Sequence, residues 1–168
     1  MKKNESSRCI FEIHLEEWNH ALHIDGRGHK SDISWLINTL EKYNVHPRIY
    51  MLSDWRDENL ADAGQLFVGG YGVKTHGKHH YYDEKADRSP YWNQEGLPGF
   101  CGGFFFRLLP LWFIKAEIKR TGLFYIHPHD VDENHPIIRN PLLNWKRHVG
   151  LKGAKAKLEK LLKEVQFA

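Results

Sequence analysis

Cys9–Glu16 reads C-I-F-E-I-H-L-E, and its alternation decides the fold class. Cys9, Phe11, Ile13 and Leu15 fall on one side of an extended chain, and Ile10, Glu12, His14 and Glu16 on the other. Successive side chains of a strand point to opposite faces, so a period of two predicts a β-strand with one apolar and one partly polar face. The polar side gathers His14 and Glu16 at the C-terminal end, with Glu17 and Trp18 just beyond. A Gly/His/Asp-rich connection follows over residues 19–30. Ile33, Leu36, Ile37, Leu40 and Tyr43 then recur with the 3.6-residue period, predicting a helix capped by Ser31 or Asp32 and ended at Asn44. Pro47 leads into an apolar strand over Arg48–Ser53. Strand, helix and strand at this spacing make a β-α-β unit, in which the two strands run parallel.

Further along, Asp54–Gln65 is polar and has room for a short helix before Leu66–Val68. Glycines at 64, 69, 70 and 72 mark a bend or a close backbone approach. The run Gly69–Lys74 predicts a short strand, and T-H-G-K-H-H follows it at Thr75–His80. His76 and His80 stand at i and i+4, so both imidazoles can converge on one cation if the backbone turns helically. A solvated polar loop is the plain alternative in a chain with 12 histidines. Tyr81–Gly103 is loop-like and contains Arg88-Ser89-Pro90-Tyr91-Trp92; loops of this length are more often functional than idle.

Phe104–Arg120 returns to helical spacing on Phe105, Leu108, Leu109, Trp112, Phe113 and Ala116, with Pro110 either kinking the helix or lying in its first turn. Gly122 closes it. Leu123–His127 predicts another buried strand, ending on the polar cluster His127-Pro128-His129-Asp130. A Pro-containing connection leads to a final amphipathic helix over Gly150–Val165, built on Leu151, Ala154, Leu158, Leu161, Leu162 and Val165.

A chain of 168 residues with 41% hydrophobic content suits one folded domain over residues 1–168, with residues 1–8 expected to be flexible. Residues 141–168 carry seven Lys/Arg against two Glu, a net +5 within an overall +3. The stripe of the last helix is fully formed, so these lysines read as a wet face and no nucleic-acid partner is expected. Cys9 and Cys101 lie far apart, so reduced thiols are expected. The longest apolar run, Phe104–Ile114, is interrupted by Arg107 and Pro110 and is too short to span a bilayer. With no signal-type segment after the basic N-terminus, a soluble cytoplasmic protein is expected.

The element pattern predicts an α/β fold with parallel strands. Polar groups then follow three strands: Glu16 and Glu17 the first, His76 and His80 a middle one, His127 a late one. Active sites of parallel sheets and barrels lie at the strands' C-terminal ends. One carboxylate with two imidazoles suits a catalytic divalent ion with open positions.

The series F-E-I-H-L-E-E-W, T-H-G-K-H-H, G-G-F-F-F-R-L-L-P, F-Y-I-H-P-H-D and R-H-V-G-L resembles the polysaccharide deacetylases, carbohydrate esterases of the NodB-homology type, in order over about residues 9 to 167. The closest look is to the branch found in exopolysaccharide loci. The resemblance implies a compact, distorted and incomplete (β/α) barrel and metal-dependent removal of acetyl groups from N-acetylated sugars of a poly- or oligosaccharide. It implies one divalent ion, Zn²⁺ foremost, with Co²⁺, Ni²⁺ or Mn²⁺ as substitutes. His76 and His80 match the family's metal-binding histidines, and its metal-binding acid falls on Glu16 or Glu17, with Glu16 preferred because it shares a strand face with His14. His127 matches the histidine that protonates the leaving amine, and Arg88 the arginine of an R-x-P motif. Trp18, Tyr91 and Trp92 are candidates for stacking on the sugar, or for core packing.

One departure stands out. The family's first motif opens with an aspartate that serves as general base, and this chain has His14 there. His14 can be the base itself, a third imidazole on the metal, or the mark of a domain that binds carbohydrate without cleaving it.

Overall fold

The computed structural model describes residues 9–15, 31, 33–51, 71, 73–75 and 100–168. The first strand, β1 (Ile10–Leu15), lies inside a four-stranded parallel sheet. Helix α1 (Ser34–Lys42) carries the chain to β2 (Arg48–Met51), which pairs with β1 so that Glu12 stands opposite Arg48 and His14 opposite Tyr50. β3 (Val73–Thr75) adds to the outer side of β2. Two helices, α2 (Gly103–Leu108) and α3 (Leu111–Thr121), precede β4 (Leu123–Ile126), which returns to the other side of β1. The order is β3-β2-β1-β4. A 3₁₀ turn (Pro128–Asp130), α4 (Pro141–His148) and α5 (Ala154–Glu164) complete the described elements.

The alternation of β1 sorts its side chains as expected. Phe11, Ile13 and Leu15 join Ile49, Met51, Phe124 and Ile126 in one core with Leu36 and Leu40 of α1, Ile114 and Ile118 of α3, and Leu158, Leu161 and Leu162 of α5. The rings of Phe11 and Phe124 lie 5.1 Å apart, and Phe106 meets Phe124 at 5.2 Å. The opposite face is also buried, yet it carries Glu12, His14 and Tyr50. Parallel strands are usually buried on both faces; here one of the two is polar.

Several boundaries differ from the sequence reading. Ile33 itself occupies the N-cap of α1 with no side-chain cap hydrogen bond, Ser31 Oγ has no hydrogen-bond partner, and Asp32 lies outside the described residues. Asn44 does end the helix, in the left-handed conformation at φ 53°. The predicted helix over Phe104–Arg120 is two helices. Leu109 turns extended (ψ 152°) and Pro110 becomes the N-cap of α3, because a residue before proline is pushed out of the helical region and proline has no N–H to donate. Gly122 closes α3 in the left-handed region at φ 72°. The connection after residue 130 contains an unanticipated helix, α4. Asn140 caps it by accepting from the N–H groups of Leu142 (3.0 Å) and Leu143 (3.2 Å), and Pro141 begins it.

The C-terminal residues pair with β1's N-terminal end. Cys9 bridges Phe167 in parallel, and the Ala168 N–H donates to Cys9 O at 2.8 Å. Phe167 packs edge-on against Phe11 at 5.2 Å.

Candidate functional site

Glu12 and His14 alternate onto the same face of β1, and both are buried, at 0% and 3% exposure. His14 Nε2 lies 3.3 Å from Glu12 Oε2. The parallel register sets Tyr50 of β2 beside His14 and Tyr125 of β4 beside Glu12. Their rings flank the imidazole of His14, at 5.5 and 5.3 Å between centroids. His127, the first residue past β4, meets His14 edge to face at 5.6 Å.

The turn after β4 fixes His127. Pro128 opens the 3₁₀ turn, and the Asp130 N–H donates to His127 O at 2.9 Å. The Asp130 carboxylate folds back and takes two bonds through Oδ2, from the His127 N–H and from the ring Nδ1, both at 3.0 Å. Arg107 Nε donates to the other oxygen, Oδ1, at 3.1 Å. Burial alone would raise the Asp130 carboxyl. The hydrogen bond from His127 and the surrounding positive groups outweigh it and hold the carboxyl well below the usual carboxylate range. Asp130 is therefore an ionised acceptor. His127 must carry its proton on Nδ1 to meet it, which turns Nε2 into the atom that exchanges protons with other groups.

His129 stacks on His127, with centroids 4.7 Å apart and planes within 8°. Its Nδ1 is buried without a hydrogen-bond partner, and burial pushes the imidazole well below the ordinary histidine value, the Asp130 charge opposing only in part. His127, His129 and Asp130 each offer a ligand atom within 4.8 Å of the others, so the group could hold a metal ion. Two imidazoles and a carboxylate suit Zn²⁺. A cation there would compete with Arg107 and His127 for the Asp130 oxygens.

Of the residues singled out in the sequence, His14 and His127 are brought together. Glu16, Glu17, Trp18, His76, His80, Arg88, Tyr91 and Trp92 lie outside the described residues, as do Leu66–Val68 and residues 1–8. Glu12, Arg107, His129 and Asp130 are site residues to which the sequence pattern assigned no role, although His129 and Asp130 stand in the polar cluster after the late strand. Glu12 had a signal, since the period of two places it beside His14. Arg107 had none, because nothing local links it to a carboxylate 23 positions away.

A parallel α/β protein with an imidazole and carboxylate cluster at the C-terminal ends of its strands is thus defined by fold and site. Residues 90–168 match the family described as Domain of unknown function (DUF3473). Comparison with curated proteins and with solved structures finds no match to the chain. Among the described residues, no helix is long and apolar enough to cross a membrane.

Proposed function

We propose that the protein is a metal-dependent deacetylase acting on the acetamide groups of N-acetylated sugars, on an incomplete barrel of the polysaccharide deacetylase type. The observation that carries this reading is His127, set at the end of β4, proton-locked by a buried carboxylate and in edge contact with His14. Amide cleavage needs a group that hands a proton to the departing amine, and an imidazole held in one tautomer is suited to it. Asp130 supplies the hold, keeping Nδ1 protonated so that Nε2 faces the reaction. His14, backed by Glu12 at 3.3 Å, takes the place of the usual aspartate and accepts the proton of the attacking water. The carboxylate then stabilises the imidazolium that forms.

Glu16 directly follows β1 and His76 directly follows β3. β1, β3 and β4 are strands of one parallel sheet, and His127 directly follows β4. His76, His80 and Glu16 or Glu17 would hold the ion. When bound, a divalent ion such as Zn²⁺ polarises the acetyl carbonyl and lowers the pKa of water.

A second reading is favoured by how tightly His14 is enclosed. It is 3% exposed and flanked by Tyr50 and Tyr125, as a packed structural residue would be. On that reading the domain binds carbohydrate without cleaving it. Acetate release from N-acetylglucosamine oligomers, with Zn²⁺ or Co²⁺ added, separates the two. His127→Gln should lower turnover about 10²- to 10⁴-fold, and His76→Ala and His80→Ala should empty the purified protein of metal. Glycan binding with no acetate released under any metal would establish the second reading instead.

A further inference from the structure

Arg107 does more than its place in a short helix requires. Its side chain is 2% exposed and sends every nitrogen of the guanidinium to a different partner. Nε donates to Asp130 Oδ1 at 3.1 Å. Nη1 donates to the carbonyls of Arg147 (2.6 Å) and Val149 (3.1 Å), and Nη2 to that of Lys146 (3.3 Å). The last three are carbonyls at the C-terminal end of α4, which have no partner within the helix. The backbone is pinned as well: a Cβ on Gly150 would lie 2.3 Å from Arg107 O, so the α4–α5 link presses directly on α2 at this residue.

We propose that Arg107 is a positioning residue for His127, acting through Asp130. The carboxylate has two oxygens and two duties. Oδ2 orients the imidazole and is steadied by the His127 backbone N–H, and an anchor on Oδ1 fixes the second oxygen so that rotation about the Cβ–Cγ bond cannot swing the carboxylate away. Arg107 anchors it with a rigid fork that is itself fixed to the end of α4. Lysine has the charge but not the fork, and cannot span one carboxylate and three carbonyls from one side chain. The orientation of the proton donor is thereby tied to the seating of α4. The kinetic part of the proposal rests on the deacetylase reading; the structural part does not.

The test is Arg107→Lys, observed by nitrogen and proton resonances of the His127 ring and by turnover. The native protein should show a single tautomer with a slowly exchanging Nδ1 proton. In Arg107→Lys that proton should broaden or vanish, and kcat should fall about 10- to 100-fold with KM held within about twofold. Asp130→Asn should reproduce both effects. An Arg107→Lys protein with a lowered melting temperature but the native Nδ1 resonance and kcat would overturn the proposal, leaving Arg107 as a cap on α4. Should Arg107→Lys not fold, the Arg107 Nε–H resonance decides: it must shift in Asp130→Asn, and an unmoved signal overturns the link. If the native protein releases no acetate with any metal, the deacetylase reading fails while the His127 resonances still decide the role of Arg107.

Discussion

His129 is the residue whose burial has the clearest measurable consequence. Its imidazole titrates well below the ordinary histidine value because desolvation penalises the charged form. In the unfolded chain it gains a proton near pH 6.5, while in the folded protein it stays neutral to much lower pH. The unfolded state thus binds more protons in that window, and stability must fall as pH drops below about 6.5. Asp130 acts in the same direction, but only below about pH 4, where the unfolded carboxylate begins to protonate. His129→Phe keeps a ring stacked on His127 and removes the titrating group. Urea unfolding at pH 7.5 and 5.5 should show a smaller loss of stability on acidification in His129→Phe than in the native protein. Equal losses in both would mean that His129 is not the group responsible. At this scale the sequence was informative where local geometry decides, as with Glu12 and His14 on one strand face. It was silent on the pairing of Arg107 with Asp130, which exists only after α2 and the turn beyond β4 have been brought together.

At the scale of elements, the hydrophobic pattern of Phe104–Arg120 runs in helical phase through Pro110, and periodicity alone cannot register the break. The break leaves α2 only six residues long, so its C-terminal carbonyls need outside donors. Lys157 of α5 supplies them, reaching Phe106 O and Leu109 O with its ammonium while lying over the Phe106 ring. Burial holds that ammonium below the usual lysine value. Lys157→Met preserves the stem and deletes the donors, so it should cost roughly 1–3 kcal/mol. Chemical denaturation should show a lower midpoint at an unchanged slope. α4 escaped the sequence reading for a different reason: Leu142 and Trp145 are exposed, at 70% and 51%, so it has no apolar stripe facing a core. Its only local signal was Asn140-Pro141, the cap and first residue.

For the molecule as a whole, the parallel β-α-β unit was legible because alternation, helical period and spacing agree over one continuous stretch. The order β3-β2-β1-β4 was not, since the chain could have placed β4 on either edge with the same local pattern. What fixes β1 in the interior is that both flanks are taken and its N-terminal end is met by the C-terminal residues. Phe167, 7% exposed, closes that end by packing against Phe11 and Phe124. Phe167→Ala should destabilise by about 3 kcal/mol, visible as a fall in melting temperature, while the His127 resonances stay native because the change lies at the opposite end of the strands.

Pairing residues 9 and 167 also has a consequence during synthesis. β1 emerges from the ribosome about 110 residues before β4 and about 150 before its closing phenylalanine, Phe167. At the usual 5–20 residues per second that is an interval of roughly 10–30 s. Throughout it, the backbone edge of β1 that β4 covers is open to any other unpaired strand in the cell. Chains stalled between β1 and β4 should therefore aggregate more readily than chains carried through Phe167.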